Sequence, residues 1–145
     1  MANVSNPELS AAYQEVLKDA FDTNWCVFGY EGAQNIVLQG KGNGGLEELK
    51  AQLHDDQCQF AYLRVIAGDS ESKRAKFVFI SWCGDHVGAL KRAKMSVHKA
   101  SVKTVITNFA IEIHATKQEE LVEEDIMTKV IKSGGANYSG NTSTN

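Results

Sequence analysis

Cysteine is scarce in this sequence and odd in number. Cys26, Cys58 and Cys83 form no C-x-x-C pair, and each lies in or beside an apolar, strand-like run. That argues against a disulfide framework and predicts buried thiols in a reducing compartment. No apolar run approaches the ~18 residues of a membrane span, and no charged-then-apolar segment opens the chain. A soluble, cytoplasmic protein without a transmembrane segment is expected. His54, His86, His98 and His114 are dispersed, with no i, i+4 pair around a glutamate and no cysteine at ligand spacing. No metal is therefore expected. A G-x-S-x-G elbow and a thiol–histidine nucleophile signature are both missing. The pairs Asp55-Asp56 and Glu119-Glu120 fall in a loop and in a first helical turn. A carboxylate in the second position suits the positive end of a helix. No catalytic residue and no cofactor is indicated, so the chain reads as a non-enzyme.

What is present begins with an ordinary globular composition. The 145 residues are 43% hydrophobic and carry a net charge of -3. That length suits one domain, able to bury ~70% of its unfolded surface. The charge is unevenly spread. Lys73, Arg74, Lys76, Lys91, Arg92, Lys94, Lys99 and Lys103 face a single acid, Asp85, within residues 73–103. A +7 island thus sits in a remainder of -10, which attracts acidic partners.

The stretch from Ser72 to Trp82 organises the chain. Cations at 73, 74 and 76 run straight into Phe77-Val78-Phe79-Ile80-Ser81-Trp82. A run this apolar on both faces predicts a central strand covered on both sides. Before it, Ser5 or Asn6 can cap a helix with Pro7 in its first turn. Leu9, Tyr13, Val16, Leu17 and Ala20 mark its apolar face. Strands are predicted over 25–30, 35–39, 58–66 and 76–83, with Lys73 and Arg74 at the tip of the last hairpin. Gly40 to Gly45 reads as a flexible loop before a short helix, 46–53. Asp85 is the expected cap of the next helix, whose face is marked by Val87, Leu90 and Met95. Its stripe resumes at Val102, Val105, Ile106 and Phe109, with Ser96 to Ser101 a candidate kink. A short strand over 110–114 and a capping-box pattern at Thr116 to Glu119 lead into the last helix.

The order α-ββ-α-ββ-α-β-α predicts an α+β fold. One domain over 1–132 holds a central mixed five-stranded sheet with helices on both faces. The helical crossover makes the last two strands parallel. A flexible, disordered tail over 133–145 is expected from its Gly, Asn, Ser and Thr content.

Gly40-x-Gly42-x-x-Gly45 matches the letters of a dinucleotide fingerprint between a strand and a helix. A small nucleotide-binding enzyme is therefore the reading from a different class. The preceding strand closes a hairpin, however, and the helix is short, so a hinge loop with positive φ angles is the simpler account. The basic constellation is the stronger signal. Lys73, Arg74 and Lys76 precede the central strand; Lys91, Arg92 and Lys94 occupy the next helix beside Met95. Lys129 and Lys132 lie near the end of the last one. No aromatics interleave with these cations, which argues against nucleic acid. An acidic protein partner fits better, with Met95 and Val97 as apolar anchors. Anionic lipid is a weaker option for the same patch.

Several segments together carry a resemblance. They are Asn24-Trp25, Leu63-Arg64-Val65, Gly68-Asp69, Ser72 to Phe77, Ile80-Ser81-Trp82, Gly88 to Lys94, and Gly134 to Tyr138. Over nearly its whole length the chain resembles the actin-depolymerising-factor homology (ADF-H, cofilin-like) family. The resemblance implies a mixed sheet flanked by two pairs of helices. It implies a monomeric binder of the side of F-actin that modulates filament dynamics, stabilising filaments or opposing capping without strong severing. A cofilin-like binder of monomeric as well as filamentous actin is the alternative. The resemblance also assigns Lys76 to filament binding, with Lys73 and Arg74 in the same contact region. Arg92, Lys94 and Met95 match a run that cofilins lay against an actin subunit, although Ser96-Val97-His98-Lys99 departs from the cofilin pattern. Lys132 matches a C-terminal-helix lysine.

Overall fold

The computed structural model describes residues 1–68 and 73–137, the last four by backbone alone. Its elements are α1 (Pro7–Leu17), β1 (Trp25–Glu31), β2 (Asn35–Gly42), α2 (Gly45–Lys50), β3 (Cys58–Gly68), β4 (Lys73–Cys83), α3 (Ala89–Val102), β5 (Ile111–Ala115) and α4 (Glu123–Asn137). The sheet order is β2-β1-β3-β4-β5. The β4–β5 pair is parallel and the others are antiparallel. The mixed five-stranded sheet is as the crossover argument predicts.

Alternation along the strands divides the core into two layers. Cys26, Phe28, Phe60, Tyr62 and Phe79 meet Leu9, Tyr13 and Val16 of α1 and Met95 and Val102 of α3. On the other face, Trp25, Val27, Leu63, Val78, Ile80 and Trp82 meet Leu46 and Leu49 of α2 and Ile126 and Val130 of α4. The three thiols are buried and free. No helix among the described residues is long and apolar enough to cross a membrane.

The N-terminus of α1 forms as expected: Asn6 Oδ1 accepts from Glu8 N–H at 2.9 Å, with Pro7 in the first turn. Its C-terminus has a tertiary cause. The Arg64 guanidinium on β3 donates to the carbonyls of Val16, Lys18 and Phe21 at 3.0–3.1 Å. A cation among terminal carbonyls satisfies acceptors that the helix leaves over.

Several boundaries differ from the sequence reading: β4 begins at Lys73, not at Lys76, so Lys73 and Arg74 are paired strand residues. Gly40 and Gly42 belong to β2, not to a hinge loop. Of the three glycines in the motif, only Gly45 has a positive φ, 71°. Gly42 is required because Trp25 lies over it: a Cβ there would stand 2.9 Å from the indole. α3, in turn, starts at Ala89, not at Asp85. The N–H of His86 is bonded to the Asp55 carbonyl at 2.8 Å, so this segment turns across the β3 entrance before a helix can begin. α3 also runs unbroken through Ser96–Ser101 and ends at Val102. Buried His98 is accommodated by a 2.7 Å hydrogen bond between Nδ1 and Tyr30 Oη. The residues after α3 form a loop pinned by two tyrosines. Asn108 N–H donates to Tyr13 Oη at 3.1 Å, and Tyr62 Oη donates to the Asn108 carbonyl.

Lastly, the capping box closes on Glu120. Its Oε1 accepts from the N–H groups of Thr116 and Lys117 at 2.8 and 3.2 Å. It introduces a single 3-10 turn, Gln118–Glu120, ahead of α4. α4 continues to Asn137, past the expected boundary at Lys132. Residues 138–145 of the expected disordered tail lie outside the described residues.

Candidate functional site

β3 and β4 form the longest ribbon in the sheet, in register from Cys58↔Cys83 to Gly68↔Lys73. Ten residues of strand separate its two ends by about 33 Å. The inner end is core, with Val78 to Cys83 buried throughout. Lys73 and Arg74 are exposed at the outer end, and Lys76 is half-buried beside its cross-strand neighbour Val65. A lysine in that position rests its stem on apolar surface and keeps its ammonium in water. The tip cations are therefore held on paired backbone.

Lys76 shares its face of β4 with Val78, Ile80 and Trp82, the face covered by α2 and α4. Val65 and Ala67, the last inward residues of β3 before the tip, are buried in the cluster that contains Val130. Lys129 and Lys132 flank Val130 on the exposed side of α4. Lys76 thus lies on the sheet face that is covered by α4, the helix carrying Lys129 and Lys132.

The cations of α3 lie elsewhere. The Lys91 carbonyl is 3.9 Å from Cys58 Sγ, at the opposite end of the ribbon from Lys73. Lys91, Arg92 and Lys94 are exposed there, and Arg92 Nη2 donates to the Val87 carbonyl at 3.0 Å. The +7 segment is therefore two separate basic surfaces. Between them, Lys99 and Lys103 are engaged: Glu112 Oε2 and Oε1 accept from them at 2.9 and 2.5 Å. Desolvation raises the Glu112 pKa, but the hydrogen bonds and charges of Lys103 and Lys99 outweigh it and hold the carboxyl below its usual range. No carboxylate among the described residues pairs with Lys73, Arg74, Lys76, Lys91, Arg92, Lys94, Lys129 or Lys132.

Met95 requires a correction. It is only 3% exposed and packs into the α1/α3 layer of the core. It cannot be an apolar anchor for a partner without leaving the core. Leu90 was expected to face inward, but it is 71% exposed, and Val97 is 62% exposed. Their spacing of seven residues, two turns apart, puts both on the outer side of α3. Sequence periodicity could have revealed this pair had α3 been started at Ala89.

The glycine motif has its own structural account. Trp25 Nε1 donates to Glu48 Oε1 at 2.8 Å, and Gly44 N–H donates to the same oxygen at 2.9 Å. These bonds hold the Glu48 carboxyl below the normal range. Here the fingerprint letters encode a tryptophan seat and a tight entry into α2. The carboxylate occupies the helix entrance where a dinucleotide phosphate would have to sit.

Residues 1–131 match the family model for cofilin/tropomyosin-type actin-binding proteins. The chain is 60% identical to coactosin from Dictyostelium discoideum, with both chains covered completely. The crystal structure of coactosin from Entamoeba histolytica superposes with a TM-score of 0.83 at 46% identity, covering 87% of this chain and 93% of that one. The solution structure of mouse coactosin, described as an actin filament binding protein, has a TM-score of 0.76 at 37% identity. It covers 95% of this chain and 96% of that one. With the expected sheet topology and full-length similarity, the chain belongs to the cofilin/tropomyosin-type family of actin-binding proteins, among its coactosins, and is an actin-binding protein, not an enzyme.

Proposed function

We propose that this protein binds the side of actin filaments and modulates their dynamics, stabilising them or opposing capping without strong severing. The β3–β4 ribbon is the observation that carries this reading. It projects Lys73, Arg74 and Lys76 from a strand paired with β3 along its whole length, with Lys129 and Lys132 on the helix that covers the same face. The similarity to mouse coactosin, an actin filament binding protein, points the same way. Actin presents an acidic surface, so such a cluster contributes to encounter rate and orientation more than to raw affinity. The protein acts as a monomer at the cytoplasmic actin cytoskeleton and performs no chemistry there.

The test is co-sedimentation with F-actin at low and at physiological salt. Pelleting at both, weaker at the higher salt because exposed charges are screened over ~8 Å at 0.15 M, is the expected result. A protein that stays in the supernatant at both would defeat the proposal. Binding to monomeric actin is a second reading, favoured by exposed Leu90 and Val97 on the basic helix α3. A pyrene-actin assembly assay separates the two: a monomer binder alters elongation in proportion to monomer bound, whereas a side binder changes disassembly or capping.

A further inference from the structure

Cys58 and Cys83 are directly opposed on β3 and β4. Gly84 N–H donates to the Gln57 carbonyl at 2.9 Å. In an antiparallel ladder that makes the next pair inward, Cys58 with Cys83, a non-hydrogen-bonded pair. Such pairs have Cα atoms about 4.5 Å apart and the closest side chains, inside the range a disulfide needs. Both side chains point into the same core layer, and their sulfurs are 3.8 Å apart.

Access to this pair is one-sided. Cys83 is fully buried, whereas Cys58 is 8% exposed. Cys58 also lines a cavity of about 370 Å³ between the β1–β2 turn and the first turns of α3, with Tyr30, Lys91 and Lys94 among its walls. A peroxide-sized molecule fits there easily. Burial, and then the neighbouring Cys83, push the Cys58 thiol up to about 12, while Lys91 and Arg92 act in the opposite sense. The thiolate is therefore a minor species, whose cost Lys91 and Arg92 offset in part, and the oxidant meets it from the cavity that Cys58 lines.

We propose that Cys58 and Cys83 are a peroxide-responsive thiol pair that closes to a cross-strand disulfide, with Cys58 the thiol oxidised first and Cys83 the resolving one. The Cys58 thiolate attacks one oxygen of hydrogen peroxide. The O–O bond breaks, water leaves after protonation, and Cys58 becomes a sulfenic acid. Cys83, having lost its proton, then attacks the Cys58 sulfur, forming the S–S bond and releasing a second water. The net change is two thiols and one peroxide to one disulfide and two waters. Cys26 is excluded because it is fully buried and does not line this cavity.

The test treats the full chain with hydrogen peroxide, alkylates it and digests it with trypsin without reduction. Cleavage after Lys50, Arg64, Lys76 and Lys91 places the two cysteines on separate peptides, 51–64 and 77–91. The expected result is a linked pair of these peptides, lost on reduction and formed equally in Cys26→Ala. In Cys83→Ala, the sulfenic acid at Cys58 should persist and be trapped by dimedone. Circular dichroism of each variant before oxidation establishes that it is folded. Should Cys83→Ala not fold, the order of labelling in wild type at short times serves instead, with Cys58 sulfenic acid preceding the linked peptide. Oxidation of Cys58 to sulfinic acid without linkage, linkage through Cys26, or two thiols still free at millimolar peroxide would each overturn the proposal.

Discussion

Lys76 stands where the core of β4 gives way to solvent, one residue outside the aromatic run. Its side chain is half-buried but belongs to no core cluster, so reversing its charge should leave the fold intact. Lys76→Glu is expected to weaken F-actin co-sedimentation about tenfold, ~1.4 kcal/mol, with an unchanged Tm. An unaltered pelleting curve would remove Lys76 from the site. Met95 is the opposite case. Truncating a buried methionine costs ~2–5 kcal/mol, so Met95→Ala should lower the urea midpoint of unfolding sharply while Val97→Ala leaves it nearly untouched. Equal midpoints would mean that α3 is rotated from the packing described. Gly42→Val drives a branched side chain into the Trp25 indole and the Glu48 carboxylate. Overpacking of this kind costs ~1–3 kcal/mol, visible as a lower Tm without any change in nucleotide binding. Of these residues, the placement of Lys76 at the outer edge of the buried part of β4 was legible from the sequence, because the apolar run begins directly after it. Met95 was not, since its neighbours on both sides are charged or polar and only the seating of α3 decides which way it points.

At the scale of elements, the division of the basic island into two surfaces is the main consequence of the fold. In the sequence, Lys73 and Lys94 belong to one charged segment. In space, β4 carries the chain away from the tip before α3 begins, and α3 then returns along the sheet for about 21 Å. Lys99 and Lys103 lie along that return and at its end and are partly neutralised by Glu112 of β5, one carboxylate shared between two ammonium groups. Variants at the two surfaces should therefore act independently. The pair Lys73→Ala/Arg74→Ala and the pair Lys91→Ala/Lys94→Ala are expected to add in free energy when combined, within ~0.5 kcal/mol. Dissociation constants from co-sedimentation measure this. A larger coupling would mean that one actin contact reads both surfaces at once. The parallel pairing of β4 with β5 was readable from the crossover length and the composition of the strands. The late start of α3 was not, because it depends on a bond from the His86 N–H to the carbonyl of Asp55, which lies before β3.

Across the whole molecule, stability should depend on pH in two steps. Burial, then the charges of the N-terminus and Lys94, hold the His98 pKa below its ordinary value of 6.5. The unfolded chain therefore takes up the proton first. Stability is complete above pH 6.5 and falls as pH drops through the window between the unfolded and folded values. Glu15, Glu112 and Glu120 are likewise held below 4.5, Glu15 chiefly by its hydrogen bond from Lys41 and Glu120 by backbone N–H groups. Their contribution is present above pH 4.5 and lost below it. A Tm profile from pH 8 to pH 3 should show an upper step that disappears in His98→Gln and a lower one that does not. An upper step that survives the substitution would assign it to another group. What the sequence by itself determined was the α+β order, the mixed sheet, the two-sided burial of β4 and the excess of positive charge after it. These follow from hydrophobic period and local composition, which act over a few residues. Only the tertiary structure decided which cations share a surface, which are partly neutralised, and that Met95 and the glycine motif serve packing. Those outcomes depend on contacts between elements that only the fold brings together, such as Trp25 with Glu48 and Tyr30 with His98, which no local pattern encodes.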